Sequence, residues 1–240
     1  MTALDAARAA LAPQGLLRAA INTGNPVLAT RGEDGAMKGV SVDLAHALAR
    51  ALGARLDLVA YDGAGKVVAE AGADRWDLAF LAVDPTRGEK LAYTRPYVRI
   101  EAVFAAPARA AFAAPADLDR AGLRIGVGKG AAYDLHLSRA FSRATLARYP
   151  TSADVGPAIL ADGLDAGAGI RQPMQAFVAA TPGLRLLPEA FMAIAQALAV
   201  PRAKAAAIPW LQEELDRLAA RGVIREALRR AGEDPALATD

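Results

Sequence analysis

Arg87 carries the clearest chemical meaning in this sequence. A near-continuous apolar run over residues 76–83 leads into Asp84-Pro85-Thr86-Arg87-Gly88. A buried strand followed by a turn puts the arginine at the strand's C-terminal end, where open α/β sheets bind ligands. Its planar guanidinium fork suits a carboxylate. The plainer reading is a surface arginine at a helix start, a place where a cation is unfavourable unless an anion lies nearby. A second candidate is Gly126-Val127-Gly128-Lys129-Gly130, which follows an apolar run and precedes a helical one. Its amides either hold an anion at a helix N-terminus or simply make the turn.

Other chemistries are excluded by what is missing. With no Cys, the chain has no thiol nucleophile, disulfide framework or iron–sulfur site. The two histidines, His46 and His136, are too few and too far apart for a metal site, and both read as surface or packing residues. No G-x-S-x-G or G-x-x-x-x-G-K-[ST] occurs, and no local carboxylate pair suggests acid–base work. Neither a metal nor a cofactor is expected.

The 28 basic and 26 acidic residues among 240 leave a net charge of +2, with no basic patch interleaved by aromatics, so nucleic acid is not an expected partner. The longest apolar stretch, residues 190–200, is interrupted by Gln196 and is too short to span a bilayer. Asp5 and Arg8 break the N-terminal apolar run, which does not resemble a secretory leader. The expectation is a periplasmic protein whose leader has been removed, or a cytoplasmic one.

The elements that must position Arg87 alternate. Residues 16–21 read as a strand, 42–52 as an amphipathic helix stopped by Gly53, 56–61 as a strand, 66–71 as a helix start and 76–83 as a buried strand. A second unit starts near Glu101: strand 123–127, the glycine loop, helix 131–141, helix 158–164 and a weak strand 165–170. The Ala-rich residues 105–115 look like a linker, and residues 209–231 like a charged helix pair broken at Gly222. This order predicts α/β layers with mostly parallel sheets.

Several blocks, in order from Leu17, resemble the type II periplasmic solute-binding proteins, specifically the polar amino-acid-binding family (bacterial extracellular solute-binding protein family 3) of ABC importers. They are Leu17-Arg18-Ala19-Ala20-Ile21 with Gly24-Asn25-Pro26, and Gly39-Val40-Ser41-Val42-Asp43-Leu44-Ala45. The most specific runs from Trp76-Asp77-Leu78-Ala79 through Pro85-Thr86-Arg87 to Tyr93-Thr94-Arg95-Pro96-Tyr97. Gly126 to Tyr133, Gly163-Leu164-Asp165-Ala166 and Gly222 complete the series. The resemblance implies a two-lobed fold, each lobe a mostly parallel sheet flanked by helices, with a two-strand hinge that closes on a ligand. Lobe 1 would be residues 1–102 and 193–240, and lobe 2 residues 103–192.

By that resemblance Arg87 takes the arginine position that clamps a ligand carboxylate, with Asn25, Phe80, Ala82, Gly130, Ala131, Ala132 and Tyr133 also in the binding set. Departures accompany the match. Asn25 replaces an aromatic, and Ala82 and Ala132 replace hydroxyl residues. Ile170 or, in a bulged register, Arg171 stands where the family places an Asp for the ligand's ammonium. Asp134 is a rival ammonium partner. A buried ammonium without a carboxylate is costly, so the expected ligand is a small organic acid or an atypical amino acid. Arg87, Lys66 and Arg171 would then form a cationic pocket. The expected role is the binding component of an ABC transporter, a monomer that docks on a permease, without catalysis or membrane insertion. A cyclohexadienyl-dehydratase-like enzyme and a sensor unconnected with transport are the alternatives; Pro173 stands near the dehydratase's catalytic acid.

Overall fold

The computed structural model describes residues 2–239. The chain forms two compact units, Met1–Arg99 with Ala195–Asp240, and Ile100–Ile194. In the first, the chain runs α1 (Ala3–Leu11), β1 (Leu16–Asn22), a short hairpin β2 (Thr30–Arg31) and β3 (Met37–Lys38), α2 (Val40–Leu52), β4 (Arg55–Tyr61), α3 (Ala64–Ala69), β5 (Leu78–Ala82) and α4 (Pro85–Gly88). It leaves in β6 (Leu91–Pro107), a strand long enough to belong to both units.

Local chemistry explains these elements. Thr2 and Asp5 form a reciprocal capping box at the start of α1. Leu44, Ala45, Leu48 and Leu52 bury the apolar face of α2. Gly39 opens α2 with φ 124°, and a Cβ there would lie 2.6 Å from the Leu28 carbonyl oxygen, so only glycine fits. β5 is buried at every position, as its unbroken apolar run predicts.

The second unit contains β7 (Arg124–Gly128), α5 (Ala132–Ala140), β8 (Thr145–Tyr149), α6 (Val155–Ala161), β9 (Ala166–Ile170), α7 (Arg171–Ala179), β10 (Leu184–Leu186) and the start of β11 (Met192–Pro201). β11 returns the chain to the first unit, where α8 (Ile208–Ala220) and α9 (Val223–Arg230) follow. Within the first unit the strand order is β4-β1-β5-β11, with β1 parallel to both neighbours and β11 antiparallel to β5. In the second, β8, β7 and β9 are parallel, and β6 pairs with β9 in the opposite sense. The parallel sheets are as expected; the two long strands add an antiparallel member to each.

Two boundaries differ from expectation. The Ala-rich start of residues 105–115 is not linker: Ala105 and Ala106 are fully buried at the end of β6, paired with β10. Small side chains suit a strand covered on both faces, where the period-2 signal is lost. The helix expected over 158–164 is α6, which begins at Val155 because Pro157 sits in its first turn, where no amide bond is needed.

Each unit has its own core. Trp76 and Val67 pack with Ala20, Ala79, Leu81 and Leu91, and the Trp76 indole donates to the Val67 carbonyl at 3.1 Å. In the second unit Val103, Ala105, Val155, Ile159, Met174 and Leu184 pack together. Among the described residues no helix is long and apolar enough to cross a membrane.

Candidate functional site

β1 and β5 are parallel neighbours, joined through Ala19–Leu78 and Ala20–Ala79. The loops that leave their C-terminal ends therefore emerge on the same edge of the first unit's sheet. The β5 loop holds Arg87. Asp84 caps the single turn of α4 by accepting from the amides of Thr86 (2.9 Å) and Arg87 (3.4 Å), and Pro85 starts the turn. Arg87 lies within that turn and is 2% exposed, and its Nη1 donates to the Ala82 carbonyl at 3.1 Å. The structure thus brings Arg87 and Ala82 together. Burial pulls the guanidinium's pKa down, and the neighbouring Tyr93 and Asp84 oppose that pull; arginine stays charged in either case. Phe80, 3% exposed, stands edge-on to Tyr97 with ring centres 6.4 Å apart.

The β1 loop holds Asn25. Its backbone is fixed by its own turn: the Asn25 amide donates to the Asn22 carbonyl, and the Asn25 carbonyl accepts from Leu28 and Ala29, both at 3.0 Å. The Asn22 side chain accepts from the Gly24 amide at 3.1 Å. The Asn25 side chain takes no part in this; it is 5% exposed, and its buried Oδ1 has no hydrogen-bond partner among the described residues.

Lys66 is placed differently. It lies on α3 with a side chain 58% exposed, 2.7 Å from the carboxylate of Asp62, four residues earlier and just before the helix. Such a pair is worth about 0.3–0.5 kcal/mol.

In the second unit, β7 leads into the glycine loop. The Lys129 amide donates to the Tyr149 carbonyl and that of Ala131 to Gly128. Gly130 has φ 71° and donates its amide to Asp134 Oδ2 at 2.8 Å. Ala131 then caps α5, with Ala132 and Tyr133 buried behind it. Gly126 and Gly128 serve packing as well as the turn: a Cβ on Gly128 would sit 2.8 Å from Ser152 Oγ and 2.9 Å from Tyr133 Oη. The Tyr133 hydroxyl donates to Ser152 Oγ at 2.7 Å, and burial pushes its pKa up to about 12. Asp134, the rival ammonium partner, is 3% exposed and ion-paired with Arg148 at 3.0 Å. Arg171 opens α7 and is ion-paired with Glu101. Ile170 is the residue before it, so no acid stands at either register.

Lys66 and Arg171 thus each have an acidic partner of their own, and Arg87 has Asp84 close by in sequence and charge. Sequence reasoning passed over Asp84, Tyr93 and Arg148. The first was findable: Asp followed directly by Pro is a helix-start signature, with Asp as the cap and Pro at the first helical position. Arg148 lies on β8 and meets Asp134 only through the fold.

The chain belongs to the bacterial extracellular solute-binding proteins, family 3, whose profile matches residues 17–233. Solved structures share the fold. A mutant of ArgBP from T. maritima is 20% identical, with 95% of this chain and 98% of that one covered and a TM-score of 0.78. A solute receptor for L-cysteine of Neisseria gonorrhoeae is 20% identical, covering 93% and 92%, with a TM-score of 0.80. The ancestral amino-acid-binding protein AncCDT-1, a precursor of cyclohexadienyl dehydratase, is 17% identical, covering 95% and 99%, with a TM-score of 0.77. No curated protein matches the chain.

Proposed function

We propose that this chain is the solute-capturing component of an ABC importer, working in the periplasm and closing by a hinge on a small carboxylate-bearing solute. Membership of a family of extracellular solute-binding proteins supports the binding role and the location. The carboxylate reading rests on one observation: Arg87 is a guanidinium 2% exposed, held at the C-terminal end of β5. A buried fork of this kind at the ligand end of an α/β sheet suits a bidentate anion.

The proposed solute is an organic acid or an atypical amino acid. An ordinary zwitterion brings an ammonium that needs a buried counter-charge. Position 170 offers isoleucine, position 171 an arginine paired with Glu101, and Asp134 is engaged by Arg148. Tyr133, Ala131, Ala132 and Gly130 are proposed to wall the bound solute from the second unit. The closed, loaded monomer would then dock on a permease; closure follows if the solute binds the closed state more tightly. Binding without turnover is the favoured reading, because Pro173 supplies no acid for a dehydratase-like step.

Isothermal titration against mono- and dicarboxylic acids and neutral amino acids tests this. Micromolar binding of at least one acid is expected. Binding of neutral amino acids alone would overturn it.

A further inference from the structure

Asn25 holds a side-chain amide that the fold itself does not use. Its Oδ1 is buried and accepts nothing among the described residues, at a residue 5% exposed. Leaving a buried amide oxygen unpaired is costly, and folded proteins rarely do so. Loop geometry does not explain it. The turn is made by the Asn25 backbone, and the neighbouring Asn22 supplies the side-chain bond to Gly24. The amide does stand in a loop at the same sheet edge as the loop of Arg87, at the ends of adjacent parallel strands.

From this orphaned oxygen we infer that Asn25 reads an uncharged hydrogen-bonding group on the solute, and that the solute class is a 2-hydroxycarboxylate. The inference rests on Arg87 taking the carboxylate, as proposed above. A neutral amide can satisfy a hydroxyl in either orientation, because a hydroxyl both donates and accepts. It cannot compensate the charge of an ammonium in a buried site. Two carboxylates follow strands that end at this edge, and both already have work to do. Asp62 is paired with Lys66, and Asp84 is committed to capping α4. A hydroxyl beside the carboxylate therefore matches both loops, whereas hydrogen leaves the amide unpaired and ammonium leaves a charge unpaired. Sites built to bond a hydroxyl discriminate strongly against analogues that lack it.

The test uses matched triads differing only at C2: lactate, propionate and alanine; malate, succinate and aspartate; 2-hydroxyglutarate, glutarate and glutamate. Each is titrated calorimetrically into the full chain and into Asn25→Leu and Asn25→Asp. In whichever skeleton binds best, the hydroxy acid is expected to bind at least tenfold more tightly than its hydrogen and amino counterparts. Asn25→Leu should reduce the preference for hydroxyl over hydrogen below threefold. Asn25→Asp, which keeps the shape and adds a charge, should move the preference toward the amino compound. Arg87-dependent binding of carboxylates with no hydroxyl preference, or a preference that survives both variants, overturns the inference alone. Absence of binding by any triad member removes the carboxylate reading and this inference with it.

Discussion

The guanidinium of Arg87 folds back onto the strand that delivers it, its Nη1 donating to the Ala82 carbonyl five residues earlier at 3.1 Å. That contact holds the side chain in one orientation, which favours the proposed carboxylate contact because little rotamer entropy would remain to be lost on binding. The same contact explains why an alanine is compatible at position 82: its side chain need contribute nothing while its carbonyl holds the arginine.

This geometry separates charge from shape. Arg87→Lys keeps the positive charge but loses the planar fork and the reach to Ala82. It is expected to weaken carboxylate binding at least tenfold, and Arg87→Ala to bring it below detection, both read by calorimetry. A lysine variant binding within threefold of the parent would show that charge alone suffices.

Trp76 anchors the first unit's core and is 1% exposed, with its indole bonded to the Val67 carbonyl. Trp76→Ala is expected to lower stability by about 3–5 kcal/mol in urea denaturation. Trp76→Phe should lose less, since it forfeits the hydrogen bond and part of the ring. Equal losses for both would mean that the hydrogen bond dominates the packing.

In the second unit, the Asp119 carboxylate accepts the amides of Ala144, Arg143 and Ser142, and these bonds draw its pKa down to about 2. A depressed carboxylate contributes stability above its unfolded value of 3.8, and that contribution is lost as pH falls toward about 2. Asp119→Asn should be less stable than the parent near neutral pH, with the difference closing as acid is added. Circular dichroism melts at a series of pH values will show this; a difference independent of pH would assign the effect to shape.

Asp134 and Arg148 make an asymmetric pair, 4% and 43% exposed at their side chains. Removing the arginine leaves a buried carboxylate that still accepts from the Gly130 amide and the Ser138 hydroxyl but has lost its ion-pair partner. Arg148→Ala is expected to cost about 1–3 kcal/mol, and Arg148→Ala combined with Asp134→Asn to recover part of that loss. Additive losses in denaturant melts would show that the two side chains do not act as a pair.

Much of the fold is legible in the residues. The unbroken apolar run into Leu78–Ala82 announces a doubly covered strand, the face of Leu44, Leu48 and Leu52 announces α2, and Gly222 divides α8 from α9 where the helical pattern breaks. The long strand β6 is harder to read. Its exposure varies irregularly from Leu91 to Glu101 and Ala102 to Ala106 are all buried, so no single period describes it, and its Ala105 and Ala106 imitate a linker.

The alternation of strands and helices, the position of Arg87 at a strand's end and the absence of an acid at Ile170 and Arg171 can all be read from the residues alone, because each depends only on residue identity and local spacing. Partnership was decided by the tertiary structure. Lys66 and Asp62 lie four residues apart, but Arg171 with Glu101 and Asp134 with Arg148 lie 70 and 14 residues apart. So does the state of Asn25: whether an asparagine's amide is used by its own loop depends on what surrounds it in space. Hydrogen bonds and desolvation act over a few ångströms, and only the folded chain sets which groups come within that range.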